Sequence, residues 1–304
     1  MPDPLYILTG PTAVGKTAWA LRWAETYGAE IVSCDSLLFY RGMDIGTAKP
    51  TADELKRVPH HLINVCDVRD RVNVTDYVRW AQQAVAGIVE RGRRVLVVGG
   101  SGFYLGCFFG PVGDEVQVPE ALRTQLRERF ARDGLSPLVE ELRQLNPLGL
   151  GDLDIANPRR VVRALERCLA SQRTLKEMAD AFAQLPGPFS AWPVRVTRLE
   201  TEPEQLLHRI EQRVAEMLAN GLVAEVERLL DQGLETNPSA ARAIGYRETI
   251  DVIRGRTDRG QLAAQIVQNT RHLVKKQNTW FRTQLPPHHV MSSENGSLEN
   301  LFPV

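Results

Sequence analysis

Residues 10–17 read "GPTAVGKT". Gly10, Gly15, Lys16 and Thr17 fall on every specified position of G-x-x-x-x-G-K-[ST], a loop whose backbone N–H groups surround a phosphate chain. Ahead of it "LYILTG" is a short apolar run that predicts a buried strand, and Lys16 to Tyr27 behind it predicts a helix. Strand, loop and helix in this order aim the loop amides and the helix N-terminus at one anion. Gly10, Pro11, Thr12, Ala13, Val14, Gly15, Lys16 and Thr17 are therefore expected to hold a phosphate-bearing substrate, with Lys16 as a point charge and the Thr17 hydroxyl as a ligand for Mg²⁺.

Outward from the loop, strand and helix alternate. "AEIVSCDS" reads as a second apolar strand, "HHLINV" as a short one and "RRVLVVGG" as another buried one. Thr75 to Arg91 predicts a helix with Val78, Ala81, Val85 and Ile88 on one face and Gly92 beyond its end. The alternation predicts an α/β fold, a P-loop NTPase-like parallel sheet flanked by helices. In such sheets the loops leaving the carboxyl ends of the strands share one edge, so "GPTAVGKT", "CDS" and "GGSG" should converge there.

From about residue 116 the pattern turns helical and charged. Pro119 precedes Leu122, Leu126 and Phe130, Asn157-Pro158 caps a second helix, and Thr174 with Glu177 forms a capping box. A Pro-rich break, "LPGPFSAWP", follows. Residues 1–115 are read as the first part of the core, 116–189 as a small all-helical insertion domain, and 190–304 as core completion with C-terminal helices. "VRVTRLE" returns the chain to the sheet, "ARAIGYRETIDVI" reads as one helix, and the tail after Pro286 as loosely held.

Lys plus Arg and Asp plus Glu both total 37 in 304 residues, so net charge neither invites nor excludes nucleic acid, and only local clusters bear on it. "MPDPLYILTG" lacks the basic region of a signal peptide. Val95 to Val112 carries no charge, but its glycines and Pro111 suit a strand and tight turn better than a lipid-facing helix, so the protein is expected to be cytoplasmic and free of membrane. Cys34, Cys66, Cys107 and Cys168 stand singly, without zinc or disulfide spacing. His60 and His61 likewise have no metal spacing and read as ordinary polar or core residues.

Hydrolases with this loop usually hold their metal with an acid at the end of a neighbouring apolar strand. Here the most hydrophobic strand ends "VVGGSG", and the acid at a strand end is Asp35 instead. By position alone Asp35 is a turn residue, a metal ligand or a general base beside the phosphates. There is no N-K-x-D motif to specify guanine.

"CDSLLFYRGMDIGTAKP", together with "GPTAVGKT", "PHHL", "GGSGFY", "NPRRVVRALE", "AIGYRE" and "TRHLVKKQNTWF", resembles the bacterial tRNA dimethylallyltransferase family, also called tRNA isopentenyltransferases or IPP transferases. The matching segments occur in family order from residue 10 to about 282. The resemblance implies transfer of a dimethylallyl group from its diphosphate to N6 of the adenosine 3′ of the anticodon, in tRNAs reading codons that begin with U. The loop would then hold a leaving group, with Mg²⁺ as cofactor and a monomer as the working form. Adenine's amino group is a weak nucleophile, so a base that takes its proton speeds attack by about 10²- to 10⁴-fold, and Asp35 is the candidate. Lys16, the loop amides and Mg²⁺ stabilise the departing diphosphate.

The resemblance further implies Ser101 in catalysis and Arg247 on the diphosphate. On tRNA it implies Asp35, Ser36, Leu37, Leu38, Ser101, Arg123, Arg159, Arg160, Arg163, Arg242, Arg247, Lys275, Lys276, Gln277 and Arg282. Arg242 and Arg247 either reach substrate phosphate or pair with acids in the helical layer, and Trp280 is expected to pack. Three positions depart from the family: Ser101 stands where Thr is usual, Lys276 where Arg is common, and Leu38 where Gln is frequent. Ser keeps the hydroxyl, Lys keeps charge without the planar fork, and Leu cannot make a polar base contact. Competing readings are prenyl transfer to free adenine nucleotide, a small-molecule kinase with Arg160 or Arg163 reaching a γ-phosphate, and a non-catalytic RNA-binding module.

Overall fold

The computed structural model describes residues 3–113 and 116–303. Its strands are β1 (Leu5–Thr9), β2 (Ala29–Ser33), β3 (His60–His61), β4 (Arg94–Val98), β5 (Val194–Glu200) and β6 (His289–Ser292). They form one sheet in the order β3-β2-β4-β1-β5-β6, every neighbouring pair parallel. A parallel sheet is covered on both faces, which is why its strands read as apolar runs rather than alternating ones. All five residues of β2 are buried, as are Leu5, Ile7 and Leu8 of β1 and Val95, Leu96 and Val97 of β4.

The helices between these strands are α1 (Lys16–Tyr27), α2 (Ala52–Arg57), α3 (Val74–Glu90) and α4 (Gly102–Leu105). Asn73 starts α3 by accepting hydrogen bonds from the backbone of Thr75 and Asp76, with the Asp76 side chain completing the box. The buried stripe of α3 is Tyr77, Ala81, Val85 and Ile88. Tyr77 takes the place expected for Val78, since its ring packs between Phe39 and Tyr104, at centroid distances of 5.9 and 4.7 Å. The short strand expected across "HHLINV" is confined to His60 and His61, because Leu62 and Asn64 adopt positive φ of 63° and 57° and bend the chain away.

Residues 111–187 form a separate compact unit. It contains α5 (Glu120–Asp133), α6 (Ser136–Leu145), α7 (Pro158–Ser171) and α8 (Leu175–Ala183). Leu126, Leu138, Leu142, Val161 and Leu165 are fully buried at its centre. Asn157 caps α7 and Thr174 boxes α8 with Glu177. Its boundaries lie at Pro111 and Gly187 rather than at 116 and 189. Phe189 belongs to the sheet unit, stacked on Phe108 at 4.4 Å.

The remainder of the sheet unit comprises α9 (Pro203–Ala219), α10 (Leu222–Asp231), α11 (Pro238–Ala241), α12 (Tyr246–Ile253) and α13 (Leu262–Gln284). The single helix expected from "ARAIGYRETIDVI" is broken: α11 stops at Ala241, and Gly245 sits at φ +92° before α12 begins. The tail expected to be loose after Pro286 is instead part of the core. β6 extends the sheet beside β5, Leu301 is fully buried and Phe302 nearly so, with the Phe302 ring 5.0 Å from Tyr6 and 5.1 Å from Trp23. The Thr197 hydroxyl of β5 donates to the Leu301 carbonyl.

Because Leu301 fills a closed site, Leu301→Ala should destabilise the protein by about 2–5 kcal/mol, read as a lower midpoint of urea unfolding. A midpoint matching the native chain would show that the tail adds nothing to the core.

Candidate active site

The loop "GPTAVGKT" joins β1 to α1. Gly10 has φ +145°, and a Cβ there would lie 2.6 Å from the Leu199 carbonyl oxygen of β5, so only glycine lets the loop pass this close to the sheet. Gly15 precedes α1 without a side chain to cap it, leaving first-turn N–H groups to face an anion. The Lys16 ammonium folds back on the loop, donating to the Gly10 carbonyl at 2.9 Å and the Pro11 carbonyl at 2.8 Å. Burial holds this ammonium below its ordinary value, down to about 8; the Asp35 carboxylate opposes that shift and the Arg213 guanidinium adds to it.

The strand ends converge on this loop. A Cβ on Gly99 would lie only 1.9 Å from the Cys34 carbonyl, so the turn after β4 presses directly on the turn after β2. Asp35 follows Cys34, and its Oδ1 accepts from the Leu37 N–H at 2.9 Å. Gln277 of α13 spans the two other loops: its Oε1 accepts from the Thr12 N–H at 3.0 Å and its Nε2 donates to the Gly100 carbonyl at 2.9 Å. Both ends of that amide are thus engaged by protein, which makes Gln277 a strut between the two loops while it also lines the first cavity.

Two cavities meet here. One, of about 430 Å³, is lined by the phosphate loop, Asp35, Leu38, Gly99, Gly100 and Gln277. The other, of about 300 Å³, is largely apolar, with Ile210, Val214, Met217, Ile266 and Leu273, and also carries Ser36, Leu37 and Arg242. Thr12, Ala13, Asp35, Thr47 and Arg213 line both. The acid, the loop and a cation therefore share one wall, reached from two sides.

Arg209, Gln212, Arg213 and Glu216 of α9 line the first cavity and were not anticipated. Arg209 donates through Nη1 to the Val14 carbonyl at 3.0 Å and to Ser293 Oγ at 3.2 Å, so β6 and its turn brace the phosphate loop. Arg213 donates through Nη2 to the Thr47 carbonyl at 2.9 Å. Their signal was present in "EQLLHRIEQRVAEML": positions 209, 212, 213 and 216 form one polar stripe beside the apolar one of Leu206, Ile210, Val214 and Met217.

Other expected site residues lie elsewhere. Ser101 starts α4 next to Gly100, makes no side-chain cap and lines neither cavity, since the chain turns there to bury Tyr104 and Leu105. Arg247 lines neither cavity; it is exposed and pairs with buried Glu248 at 2.5 Å. Lys275, Lys276 and Arg282 are exposed on the outer side of α13, and Trp280 packs over Gly102. His60 lines the first cavity with Nδ1 2.7 Å from the Val58 carbonyl, and His61 Nε2 lies 2.7 Å from Glu30. In the helical unit Arg159, Arg160 and Arg163 line a shallow depression with Asn157, while Arg123 lies on α5 and pairs with Glu120 at 3.4 Å. All four cysteines are buried and unbridged, burial pushing the Cys34 thiol up to about 12. Among the described residues no three His, Cys, Asp or Glu side chains could gather a metal, and no helix is long and apolar enough to cross a membrane.

A family model described as IPP transferase matches residues 38–284. A tRNA dimethylallyltransferase of Opitutus terrae is 65% identical over 93% of this chain and 91% of its own length. That of Limosilactobacillus fermentum is 39% identical over 96% and 94%. The crystal structure of a full-length tRNA isopentenylpyrophosphate transferase from Bacillus halodurans superposes with a TM-score of 0.69 at 31% identity, covering 98% of this chain and 92% of that one. A eukaryotic dimethylallyltransferase seen acting on tRNA shares the fold, with a TM-score of 0.83 at 20% identity over 96% of this chain and 74% of its own.

An ammonium lowered to about 8 in the empty site must take up a proton to pair with a diphosphate above that pH. Inorganic diphosphate titrated by calorimetry should therefore lose affinity as pH rises above about 8 rather than near 10.5, and Lys16→Met should lose that limb. On stability the same group acts in reverse: burying its charge costs most below about 8, and the cost fades as pH rises through 10.5. Affinity that held level up to 10.5 would place Lys16 in water instead.

Proposed function

This chain belongs to the IPP transferase family, and from that membership we propose that it transfers the dimethylallyl group of dimethylallyl diphosphate to N6 of the adenosine 3′ of the anticodon in tRNAs reading codons that begin with U. It is a prenyl transferase acting on tRNA, and the phosphate loop holds the diphosphate that leaves. One observation carries the reading: Asp35 and the phosphate loop line a common wall of two cavities, so a donor on the loop and a base from the other side approach the same carboxylate.

The chemistry follows from that placement. The N6 lone pair attacks the allylic C1, the C1–O bond breaks with its electron pair leaving on the diphosphate, and the N6 proton passes to Asp35. Oδ1 of Asp35 is already engaged by Leu37, which leaves Oδ2 to accept the proton. Lys16, the loop amides and Arg213 stand where the leaving group gathers charge. Mg²⁺ keeps most of its own waters and takes few protein ligands, a demand that the exposed Thr17 hydroxyl in the cavity lining suits. Bound there by Thr17 and the diphosphate oxygens, it would neutralise charge on the leaving group.

The acceptor must give up a stacked base, and a single-stranded anticodon loop makes that cheap. Arg159, Arg160 and Arg163 on the helical unit, and Lys275, Lys276 and Arg282 on α13, supply exposed cations for the RNA backbone. A free adenine nucleotide would need neither group.

Mass spectrometry of an anticodon stem-loop incubated with protein, Mg²⁺ and dimethylallyl diphosphate should show one prenyl group added to adenosine; an unchanged stem-loop beside prenylated AMP would move the activity to free nucleotide. Asp35→Asn should bind the donor normally yet turn over about 10²- to 10⁴-fold more slowly, and native turnover in that variant would remove Asp35 as the base. Replacing Arg159, Arg160 and Arg163 together by Ala should flatten the log–log salt dependence of tRNA binding by about 2–3, at about 0.7–0.9 per lost phosphate contact. An unaltered slope would take those arginines off the RNA.

A further inference from the structure

One buried carboxylate joins the segment "MDIGTAKP" to the motif "AIGYRE". Glu225 of α10 is 6% exposed. Its Oε2 accepts from the N–H groups of Asp44 at 3.0 Å and Ile45 at 2.8 Å, and its Oε1 from the Gly46 N–H at 3.1 Å and the Tyr246 hydroxyl at 2.6 Å. Four donors thus fill the four acceptor directions of one carboxylate. The Tyr246 ring lies so close over the loop that a Cβ on Gly46 would sit 2.6 Å from it. Lys49, its side chain 4% exposed, ties Asp44 of the loop to the Tyr40 carbonyl and to Asn64 Oδ1.

What this clamp holds is the backbone of Thr47. Thr47 immediately follows the three clamped amides and lines both cavities, and its carbonyl accepts the Arg213 guanidinium at 2.9 Å. An unbroken series of hydrogen bonds and covalent backbone therefore runs from Tyr246 and Glu225, through residues 44–47, to Arg213 in the wall shared with Asp35. A guanidinium on a long side chain has many rotamers, and fixing its acceptor is how a protein selects one of them.

We propose that Glu225 and Tyr246 are positioning residues for the transfer reaction, acting through the Thr47 carbonyl to aim Arg213 at the leaving diphosphate. The proposal rests on the prenyl-transfer reading above. Glu225 and Tyr246 touch no substrate in it; they set the direction of a residue that does. A carboxylate is required because an amide at 225 offers one oxygen and turns its NH₂ against main-chain N–H groups.

The test is a double-mutant cycle on stem-loop prenylation, with Glu225→Gln, Arg213→Ala and the pair. In the native background Glu225→Gln should lower kcat about ten- to hundredfold, the consequence of one misaimed charged hydrogen bond, while stem-loop affinity by gel shift is unchanged. In the Arg213→Ala background the same change should cost about twofold or less, because there is no guanidinium left to aim. A general loosening of the fold would instead multiply the two losses, and that outcome overturns the proposal. Should Glu225→Gln fail to fold, Tyr246→Phe, which removes a single hydroxyl, runs the same cycle and decides it in the same way. Native protein that prenylates no RNA would bring down the functional reading, whereas active native protein with multiplied losses brings down only the positioning role.

Discussion

The arrangement of this molecule follows from the need to hold a desolvated cation on a phosphate loop without letting protein neutralise it. Lys16 is folded onto two carbonyls of its own loop, which donate partial negative charge but no full counter-ion. Burial depresses its ammonium, and the Asp35 carboxylate only partly offsets that. The site is therefore short of negative charge until an anion arrives. That imbalance is unfavourable in the empty protein and becomes binding energy when a diphosphate fills it.

Keeping such a site in shape falls to elements far along the chain. Gln277 of α13 fastens the Thr12 amide to the Gly100 carbonyl, Arg209 of α9 takes the Val14 carbonyl, and the turn after β6 anchors Arg209 through Ser293. Each support uses a side chain with two or more polar ends, one on the loop and another on a different element. Such groups are satisfied only when both elements are in place, so the loop's geometry depends on completion of the fold by its last residues. The buried Leu301 and Phe302 belong to the same logic, since they pin the tail that carries Ser293.

Charge is also divided by task. Three of the cations that line the cavities, Lys16, Arg209 and Arg213, are half-buried and bonded to carbonyls, so their positions are fixed. Lys275, Lys276 and Arg282 on α13, and Arg159 and Arg160 on α7, are exposed and suit a polyanion whose phosphates need no single geometry. Arg247 shows the other fate of a surface cation: buried Glu248 needs a partner, and Arg247 is the residue beside it. Local charge alone could not tell these cases apart.

Strand, loop and helix order were legible because they follow from periodicity, glycine spacing and capping residues within a few positions of each other, as at Gly10, Gly15, Asn157 and Thr174. The phosphate loop and Asp35 were legible for the same reason: each sits at a strand end, where topology alone puts it on the ligand-binding edge. The chain in one dimension could not reveal Arg209 and Arg213, whose polar stripe on α9 looks like any solvated helix face until the sheet is packed against it. Nor could it show that Gln277 points inward between two solvent-facing neighbours, that Ser101 turns aside from the cavity, or that "HVMS" and Leu301 close the sheet and core. Those outcomes depend on which faces meet across long separations, 265 residues between Thr12 and Gln277, and such meetings are set by the packing of whole layers rather than by any local preference.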